Sequence, residues 1–362
     1  MTNVVLESLL KPLSDFYRPS FVEEIAINHE AEVWMRLHGA RVPWVAYDAP
    51  TLSKQYLVDL IHTIANIYER PFDPIHGIPV VYATLPGNHR FSAIAGPNVQ
   101  YDERDITGGV ALNIRGGGVS DTSFENYHLK RGEKLLKVKP RETNRPDDPY
   151  DRLMSAINDG SPILISGATA TGKTTFLNHM LTLIDQNSRV ITVEDAREVR
   201  VPQKNRVHFV LSRTEQTNEF NYARLLDLVV RMTPDVIIGG EISTDNAAVM
   251  WEMLGTGHEH FYTTIHAESA EAAYAAFADR ILHTQPAYDR TDLIAEMKQK
   301  IRVVQLSRDG SLRAVTEAYG EATSELVLIT GKKSAHGFEM MYDEGREIAL
   351  NAGKDFLSAH LD

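Results

Sequence analysis

Residues 162–180 read PILISGATATGKTTFLNHM, in which a short apolar run, a loop bounded by Gly167 and Gly172 and a segment with helical periodicity follow one another. This order is typical of a phosphate-binding loop, whose backbone N–H groups and helix dipole converge on one anion. The spacing Gly-x₄-Gly-Lys-Thr predicts that Lys173 contacts the β- and γ-phosphates of a nucleoside triphosphate and that the Thr174 hydroxyl completes a Mg²⁺ shell. The predicted nucleotide-binding residues of the loop are Gly167, Ala168, Thr169, Ala170, Thr171, Gly172, Lys173, Thr174 and Thr175.

The composition suits a globular protein of two domains in a reducing compartment. The chain has 362 residues, and single cores rarely grow beyond about 250–300 residues. It has no cysteine, which excludes a disulfide and a thiolate metal site. No signal-like segment and no apolar run of about 18 residues is present, so we expect a cytoplasmic protein. The formal net charge of −12 argues against direct nucleic-acid binding, because neutralising phosphates requires a basic surface.

The residue pattern predicts an α/β protein with a mixed α/β N-terminal domain over residues 1–140 and a second α/β domain over residues 150–362. Residues 128–150 combine seven Lys and Arg with three Pro, which predicts a linker overlapping the first boundary. This linker is either solvated or a contact for a partner or a membrane surface. In the first domain we predict a hairpin of Glu24–Asn28 and Glu32–Leu37, a helix over Thr51–Arg70 and strands over Pro79–Leu85, Phe91–Ala95 and Val110–Arg115.

The second domain alternates strands with helices, as an open α/β sheet requires. Beyond the phosphate loop, strands are predicted over Arg189–Val193, Asn205–Leu211, Val236–Gly240 and His260–Ile265. Helices are predicted over Tyr222–Met232, Asp245–Leu254, Ser269–Leu282 and Asp292–Lys300. A hairpin of Val303–Ser307 and Leu312–Tyr319 is predicted to follow. No element is assigned beyond Tyr319.

Two strands end in carboxylates that would serve hydrolysis. Glu241 follows the apolar run Val236–Gly240, which we predict to lie beside the strand of the phosphate loop, so that Glu241 orients the attacking water near Mg²⁺. The alternative is a surface Glu that opens a helix. Glu194 and Asp195 end another strand and are the second choice, as general base or as water-mediated Mg²⁺ ligands; the alternative for them is an exposed acidic turn.

Three histidines lie close together in the sequence, at positions 258, 260 and 266. A metal site would use His258 and His260, which are spaced to chelate an ion. Apart from Glu259, however, no carboxylate lies at an obvious ligand spacing from them. We predict instead that His266, at the end of a strand, donates a hydrogen bond to the γ-phosphate. A buried histidine with satisfied hydrogen bonds is the alternative.

Taken together, these segments resemble the hexameric traffic ATPases of type IV secretion systems, within the secretion and pilus ATPase superfamily. The similarity extends over most of residues 20–320. In the predicted second domain, the matching pieces are the phosphate loop, Glu194-Asp195-x-x-Glu198, Arg231-Met232-x-Pro234-Asp235-x-Ile237-Ile238-x-Gly240-Glu241, Thr256-Gly257-His258 and Thr264-Ile265-His266-Ala267. Near the N-terminus they are Glu24-Ile25-x-Ile27-Asn28, Glu32-Val33-Trp34, Ala83-Thr84-Leu85-Pro86-Gly87 and Asn113-Ile114-Arg115.

The resemblance implies a RecA-like second domain, a homo-hexameric ring, ATP or ADP with Mg²⁺ between the two domains, and Arg90 and Arg115 near the nucleotide. It implies as partners the inner-membrane components of a type IV secretion apparatus and its other ATPase, with peripheral association at the inner membrane. Two positions depart from the family pattern. Ala170-Thr171 stand where the family usually has Gly-Ser, and Ser243 stands where it commonly has Arg.

Other functions stay open at this point. Pilus-retraction ATPases, like this chain, lack the four-cysteine zinc insertion of related motors, although the N-terminal similarity favours type IV secretion. A RecA-like nucleic-acid motor and a nucleotide-gated scaffold with negligible turnover are further alternatives. The sequence does not distinguish DNA from effector protein as cargo.

Overall fold

The computed structural model describes residues 4–19, 21–37, 44–102, 108–116, 156–157, 160–212, 217, 220–257, 260–309, 312–319, 323–334, 337–342 and 347–348. The predicted linker over residues 128–150 lies outside these ranges. Contacts divide the chain into a first unit of Met1–Glu133, Asn187–Arg197 and Gln203–Asp235 and a second unit of Lys134–Gln186, Glu198–Pro202 and Val236–Asp362. The domain bounds near residues 140 and 150 stay a prediction.

The described elements alternate between strand and helix in the middle of the chain, from the strand before the phosphate loop onward, while strands follow one another directly in the N-terminal and C-terminal parts. The helices are α1 (Val4–Tyr17), α2 (Lys54–Ile67), α3 (Lys173–Leu181), α4 (Tyr222–Arg231), α5 (Ala247–Leu254), α6 (Ala270–Thr284) and α7 (Arg290–Lys300). The strands are β1 (Val22–Ile27), β2 (Glu32–Leu37), β3 (Trp44–Asp48), β4 (Val80–Leu85), β5 (His89–Gly96), β6 (Val99–Gln100), β7 (Gly109–Arg115), β8 (Ile163–Gly167), β9 (Val190–Glu194), β10 (Arg206–Val210), β11 (Val236–Gly239), β12 (His260–Ile265), β13 (Arg302–Asp309), β14 (Leu312–Tyr319), β15 (Thr323–Ser334), β16 (Gly337–Tyr342) and β17 (Glu347–Ile348).

The first unit contains an antiparallel sheet with the strand order β3-β2-β1-β7-β5-β4. Each face of this sheet contributes side chains to a separate apolar cluster. Successive strand residues point to opposite faces, so Ile25 joins one apolar cluster and Ala26 the other, with Trp34 and Trp44. Helices α1 and α2 contribute their apolar stripes to the larger cluster. The predicted hairpin of β1 and β2 and the predicted helix α2 are confirmed, the latter with Ser53 as its N-cap.

A fully buried guanidinium connects distant segments of the first unit. Arg189 is 0% exposed, and its Nε donates to the carbonyl oxygen of Met232 at 2.9 Å. Its Nη1 donates to the side-chain oxygens of Asn28 and Asn205 at 2.8 and 2.6 Å. Its Nη2 donates to Asn113 Oδ1 at 3.1 Å. One side chain therefore connects β1, β7 and the chain beyond residue 187.

The charge of Arg189 has partners at the same place. Burial lowers the pKa of Arg189 to about 10, and the carboxylates of Glu24 and Asp235 oppose that shift. Burial likewise raises the pKa of Glu24, whose carboxylate accepts a hydrogen bond from Asn113 Nδ2 at 2.5 Å. The guanidinium also lies 5.4 Å from the centre of the Trp44 ring. Arg189 is therefore a cation at neutral pH that is held by hydrogen bonds and nearby carboxylates.

The second unit is a sheet that begins with four parallel strands in the order β11-β12-β8-β13 and continues with the antiparallel strands β14 to β17. Strand β12 therefore separates β11 from the phosphate-loop strand β8, and the prediction that the strand before Glu241 lies beside β8 is wrong. Both β11 and β12 are short, fully buried apolar runs. Such runs carry no signal for which of them pairs with β8.

Several elements were not predicted from the sequence. The sequence prediction has no counterpart for helix α1, for strands β3 and β6 or for the C-terminal strands β15 to β17, although α1 has buried residues at helical spacing. The predicted hairpin of β13 and β14 is confirmed by the pairing of Asp309 with Leu312. Across the part of the chain that the structure describes, every helix is too short or too polar to cross a bilayer.

Candidate phosphate-binding site

The loop between β8 and α3 has a tightly packed backbone with left-handed residues, a conformation that favours glycine. A Cβ at Gly167 would lie 2.5 Å from Thr171 Oγ1 and 2.6 Å from the carbonyl oxygen of Leu306, so glycine is required there. Gly172 and Ala170 both have left-handed backbones, with φ of 91° and 62°. The residues from Ala168 to Ala170 are exposed. The loop therefore presents an open, tightly turned backbone in front of the N-terminus of α3, as phosphate binding requires.

Lys173 lies at the centre of this loop. Its Nζ donates to the carbonyl oxygens of Gly167 at 3.0 Å and Ala168 at 3.1 Å. The third contact of Nζ is His266 Nδ1 at 3.0 Å. Burial lowers the pKa of Lys173, and the carboxylates of Glu241 and Glu198 oppose that shift. The structure thus brings Lys173 and His266 into direct contact, while their roles toward nucleotide stay predictions.

His266 connects Lys173 to Glu241. An ammonium group has donors and no acceptor, so Nδ1 of His266 accepts from Lys173 and the ring proton lies on Nε2. That Nε2 is 3.4 Å from Glu241 Oε2. The side chains of His266 and Glu241 are 38% and 37% exposed, so His266 is not the buried histidine of the alternative interpretation. Glu241 also does not open a helix, because α5 begins at Ala247.

The loop that carries Glu241 is held by Asn246. Asn246 Nδ2 donates to the carbonyl oxygen of Glu241 at 2.9 Å, and its Oδ1 accepts from the backbone N–H of Ser243 at 2.8 Å. Thr264 on β12 donates to the carbonyl oxygen of Gly240 at 2.8 Å. These bonds fix the end of β11 next to the end of β12. They account for the position of Glu241 although the two strands β11 and β8 do not pair.

Thr174, in the first turn of α3, has a carboxylate neighbour. Its Oγ1 donates to Glu198 Oε2 at 3.2 Å. A hydroxyl and a carboxylate are hard oxygen ligands of the kind that Mg²⁺ prefers. The residues therefore fit the predicted ion. Glu198 is part of the acidic motif Glu194-Asp195-x-x-Glu198, but the sequence did not predict it as a site residue. Its proximity to Thr174 depends on the fold.

Glu194, the second catalytic candidate, belongs to the first unit and is 2% exposed. The neighbouring Asp195 accepts a hydrogen bond from the Tyr222 hydroxyl. The alternative interpretation as an exposed acidic turn is therefore wrong for Glu194, while Asp195 is partly buried. Their relation to nucleotide stays a prediction.

Arg90 and Arg115 face each other across β5 and β7 in the first unit. They line a cavity of about 590 Å³ together with Arg70, Arg231 and one acidic residue, Asp227. Within an acidic chain, such a concentration of guanidinium groups suits an anion. Sequence spacing alone would not have grouped these four arginines.

The metal interpretation of the histidine cluster is not tested by the structure. His258 and Glu259 lie outside the described residues. Among the residues that are described, no cluster of three or more His, Asp or Glu is arranged to hold a metal ion. His260 lies 3.1 Å from the Tyr262 hydroxyl instead.

The comparisons with known proteins agree with this geometry. Residues 143–315 match the family model described as type II/IV secretion system protein. The type IV secretion system protein VirB11 of Bartonella quintana is 28% identical over 338 residues, which cover 88% of this chain and 93% of that protein. PtlH of Bordetella pertussis is 28% identical over 264 residues, covering 70% of this chain and 74% of its own.

A solved structure shows the fold. The VirB11 ATPase of the Brucella suis type IV secretion system, crystallised with sulphate, superimposes with a TM-score of 0.70 at 22% identity, covering 86% of this chain and 95% of that one. The predicted fold class, a mixed α/β N-terminal domain followed by a RecA-like domain with a phosphate loop, is thereby confirmed.

Proposed function

Since this chain is a type II/IV secretion ATPase, the family predicted from its motifs, we propose that it hydrolyses ATP with Mg²⁺ as a homo-hexameric ring that powers a type IV secretion or conjugation machine. The observation that carries the proposal is the continuous chain of contacts from Lys173 through His266 to Glu241 at the phosphate loop. It brings together a cation for the phosphates, a polar group for the γ-phosphate and a carboxylate for the water.

The contacts suggest how nucleotide binding prepares the site. The donors of Lys173 are directed to two loop carbonyls and to His266. Phosphate oxygens bind an ammonium group more strongly than neutral carbonyls do, so Lys173 turns to the nucleotide. His266 then loses the hydrogen bond that its Nδ1 accepts from Lys173, so the ring can rotate and direct its Nε2 proton to the γ-phosphate. Glu241, no longer held at 3.4 Å from His266 in this arrangement, is available for the water.

In hydrolysis, the water oxygen forms a bond to the γ-phosphorus while the bond from that phosphorus to the β,γ-bridging oxygen breaks. Glu241 orients the water and takes up its proton, and Lys173 follows the charge that develops on the phosphate oxygens. Thr174, with Glu198 beside it, would hold the Mg²⁺ that neutralises this charge. The cavity lined by Arg90 and Arg115 supports their assignment to anionic phosphate groups.

The proposal is tested by exchanging one carboxylate at a time. Glu241→Gln should lower steady-state ATP turnover by about 10²–10⁴-fold, the range for loss of one positioned acid or base, while ATP affinity changes little. Glu252→Gln, which removes an exposed carboxylate on α5, is the matched control and should turn over normally. If Glu194→Gln abolishes turnover while Glu241→Gln retains more than about a tenth of it, the roles of the two carboxylates are reversed.

The oligomer and the partners are part of the same proposal. We expect six subunits in a ring at the cytoplasmic face of the inner membrane, in contact with membrane components of the secretion apparatus and with its other ATPase. Nucleotide that binds the assembled form favours assembly by mass action. Native mass spectrometry with and without an ATP analogue measures this directly, and a monomer under every condition would refute the ring.

A further inference from the structure

Three polar side chains meet inside the first unit, where apolar residues would be usual. Thr192 and His208 are 0% exposed and Glu194 is 2% exposed. Strands β9 and β10 are parallel, with His208 directly opposite Thr192. Thr192 and Glu194 are two positions apart on β9 and therefore share a face of the sheet. The pairing of the two strands thus brings a hydroxyl, an imidazole and a carboxylate together.

The hydrogen bonds in this group have one consistent direction. Thr192 Oγ1 donates its single proton to Glu194 Oε1 at 2.8 Å. The contact between Thr192 Oγ1 and His208 Nδ1, at 2.9 Å, must then be donated by His208. The ring proton is therefore on Nδ1, and Nε2 is a buried acceptor without a hydrogen-bond partner among the described residues. The result is a relay from His208 through Thr192 to Glu194.

Such a group is costly for a core and has to be explained. Burial of a carboxylate is costly because the charge loses its hydration. The unpartnered Nε2 of His208 adds a further penalty, because a buried acceptor loses its hydrogen bonds to water without replacement. Ile191 and Val193, which alternate with these residues on β9 and point to the opposite face, are apolar and buried, so the polar side chains of this strand are confined to one face. Polar groups kept at such a cost are characteristic of sites that act on a substrate.

We propose that Thr192 and His208 are positioning residues that hold the carboxylate of Glu194 for ATP turnover. The inference rests on the ATPase function proposed above and concerns its second carboxylate. Thr192 fixes one oxygen of Glu194, and His208 fixes the hydroxyl of Thr192 in the orientation that donates. Glu194 then depends on both neighbours for its direction.

The test is a double-mutant cycle on ATP turnover. Thr192→Val keeps the shape of the side chain and removes the hydroxyl, and should lower kcat by about 10- to 150-fold, the effect of one hydrogen bond to a charged group. The KM for ATP should change less than about twofold, because the interaction acts in the reaction rather than in binding. In the Glu194→Gln background, Thr192→Val should change kcat less than about twofold, because the group on which Thr192 acts is gone.

Further variants separate positioning from packing. Thr192→Ser restores the hydroxyl without the methyl group and should recover most of kcat. His208→Asn, which retains a donor near Nδ1, should keep more activity than His208→Leu. Thr263→Val is the matched control, since Thr263 is 2% exposed and its hydroxyl has no partner among the described residues.

Three results would overturn the inference while the ATPase function stands. The first two are independent, additive losses for Thr192→Val and Glu194→Gln, and full activity of Glu194→Gln. The third is an equal loss for Thr192→Ser and Thr192→Val, because packing would then explain both. Absence of ATP turnover in the unaltered protein would instead overturn the proposed function, and this inference with it.

Discussion

Replacing Arg189 by Met should destabilise the first unit strongly. The change keeps an unbranched apolar stem but removes the guanidinium that donates to Met232, Asn28, Asn205 and Asn113. It also leaves the buried Glu24 without the cation beside it. Removing one partner of a buried charged network typically costs about 3–5 kcal/mol. At about 2–4 °C per kcal/mol for a domain of this size, we expect a midpoint lower by about 6–20 °C.

Tryptophan fluorescence makes the measurement specific. The chain has three tryptophans, of which Trp34 and Trp44 belong to the first unit and Trp251 to the second. In a Trp251→Phe parent, thermal unfolding followed by emission therefore reports on the first unit, where Trp44 lies against Arg189. Arg290→Met, which removes a half-exposed guanidinium paired with Asp279, is the control and should change little. A midpoint within about 2 °C of the parent for Arg189→Met would refute the reasoning.

Three further predictions concern the loop and a buried imidazole. Lys173→Ala should abolish ATP turnover and weaken nucleotide binding, since Lys173 is the cation of the loop; near-normal phosphate release would contradict this. Ala170→Gly should raise thermal stability by up to about 1 kcal/mol, because Ala170 has φ of 62° and a left-handed alanine is strained, although glycine loses more entropy on folding; a lower midpoint would contradict it. Burial lowers the pKa of His208, which faces Glu194, Arg197 and Arg206. The unfolded state therefore binds a proton below its ordinary pKa of about 6.5 while the folded state does not, so stability falls as the pH drops below that value. His208→Asn should show a weaker fall in midpoint between pH 7.5 and 5.5, and an unchanged slope would show that His208 does not contribute.

The sequence identified the parts of the molecule whose signal is local. The phosphate loop, helix α2 and the strands around Glu241 and His266 follow from glycine spacing and apolar periodicity, and their predicted limits differ from the observed ones by a few residues. Helix α1 was missed although Leu6, Leu10 and Leu13 are buried at helical spacing; Pro12 lies within it, and proline argues against a helix interior.

What the sequence could not supply was the arrangement of distant segments. Strand β12 lies between β11 and β8, and no periodicity distinguishes this order from the one predicted. The contact of Thr174 with Glu198 and the relay from His208 to Glu194 depend on loop paths and strand pairing in the same way. Residue types therefore predicted the chemistry of the site, while the neighbours of each group required the fold.

The hydrogen bonds of Arg189 have a consequence for the synthesis of this protein on the ribosome. Asn28 and Asn113 are translated long before Arg189 and Asn205, and the first unit is complete only when Asp235 has emerged. At ~5–20 residues per second, the stretch between Glu133 and Asp235 takes about 5–20 s to translate. Until Arg189 is made, about halfway through that stretch, the carboxylate of Glu24 lacks its cation, and the nascent N-terminal sheet lacks the guanidinium that bonds Asn28 and Asn113. A fragment ending at Glu133 would remain in this unfinished state permanently, so expression of the N-terminal segment alone is a poor route to a stable protein.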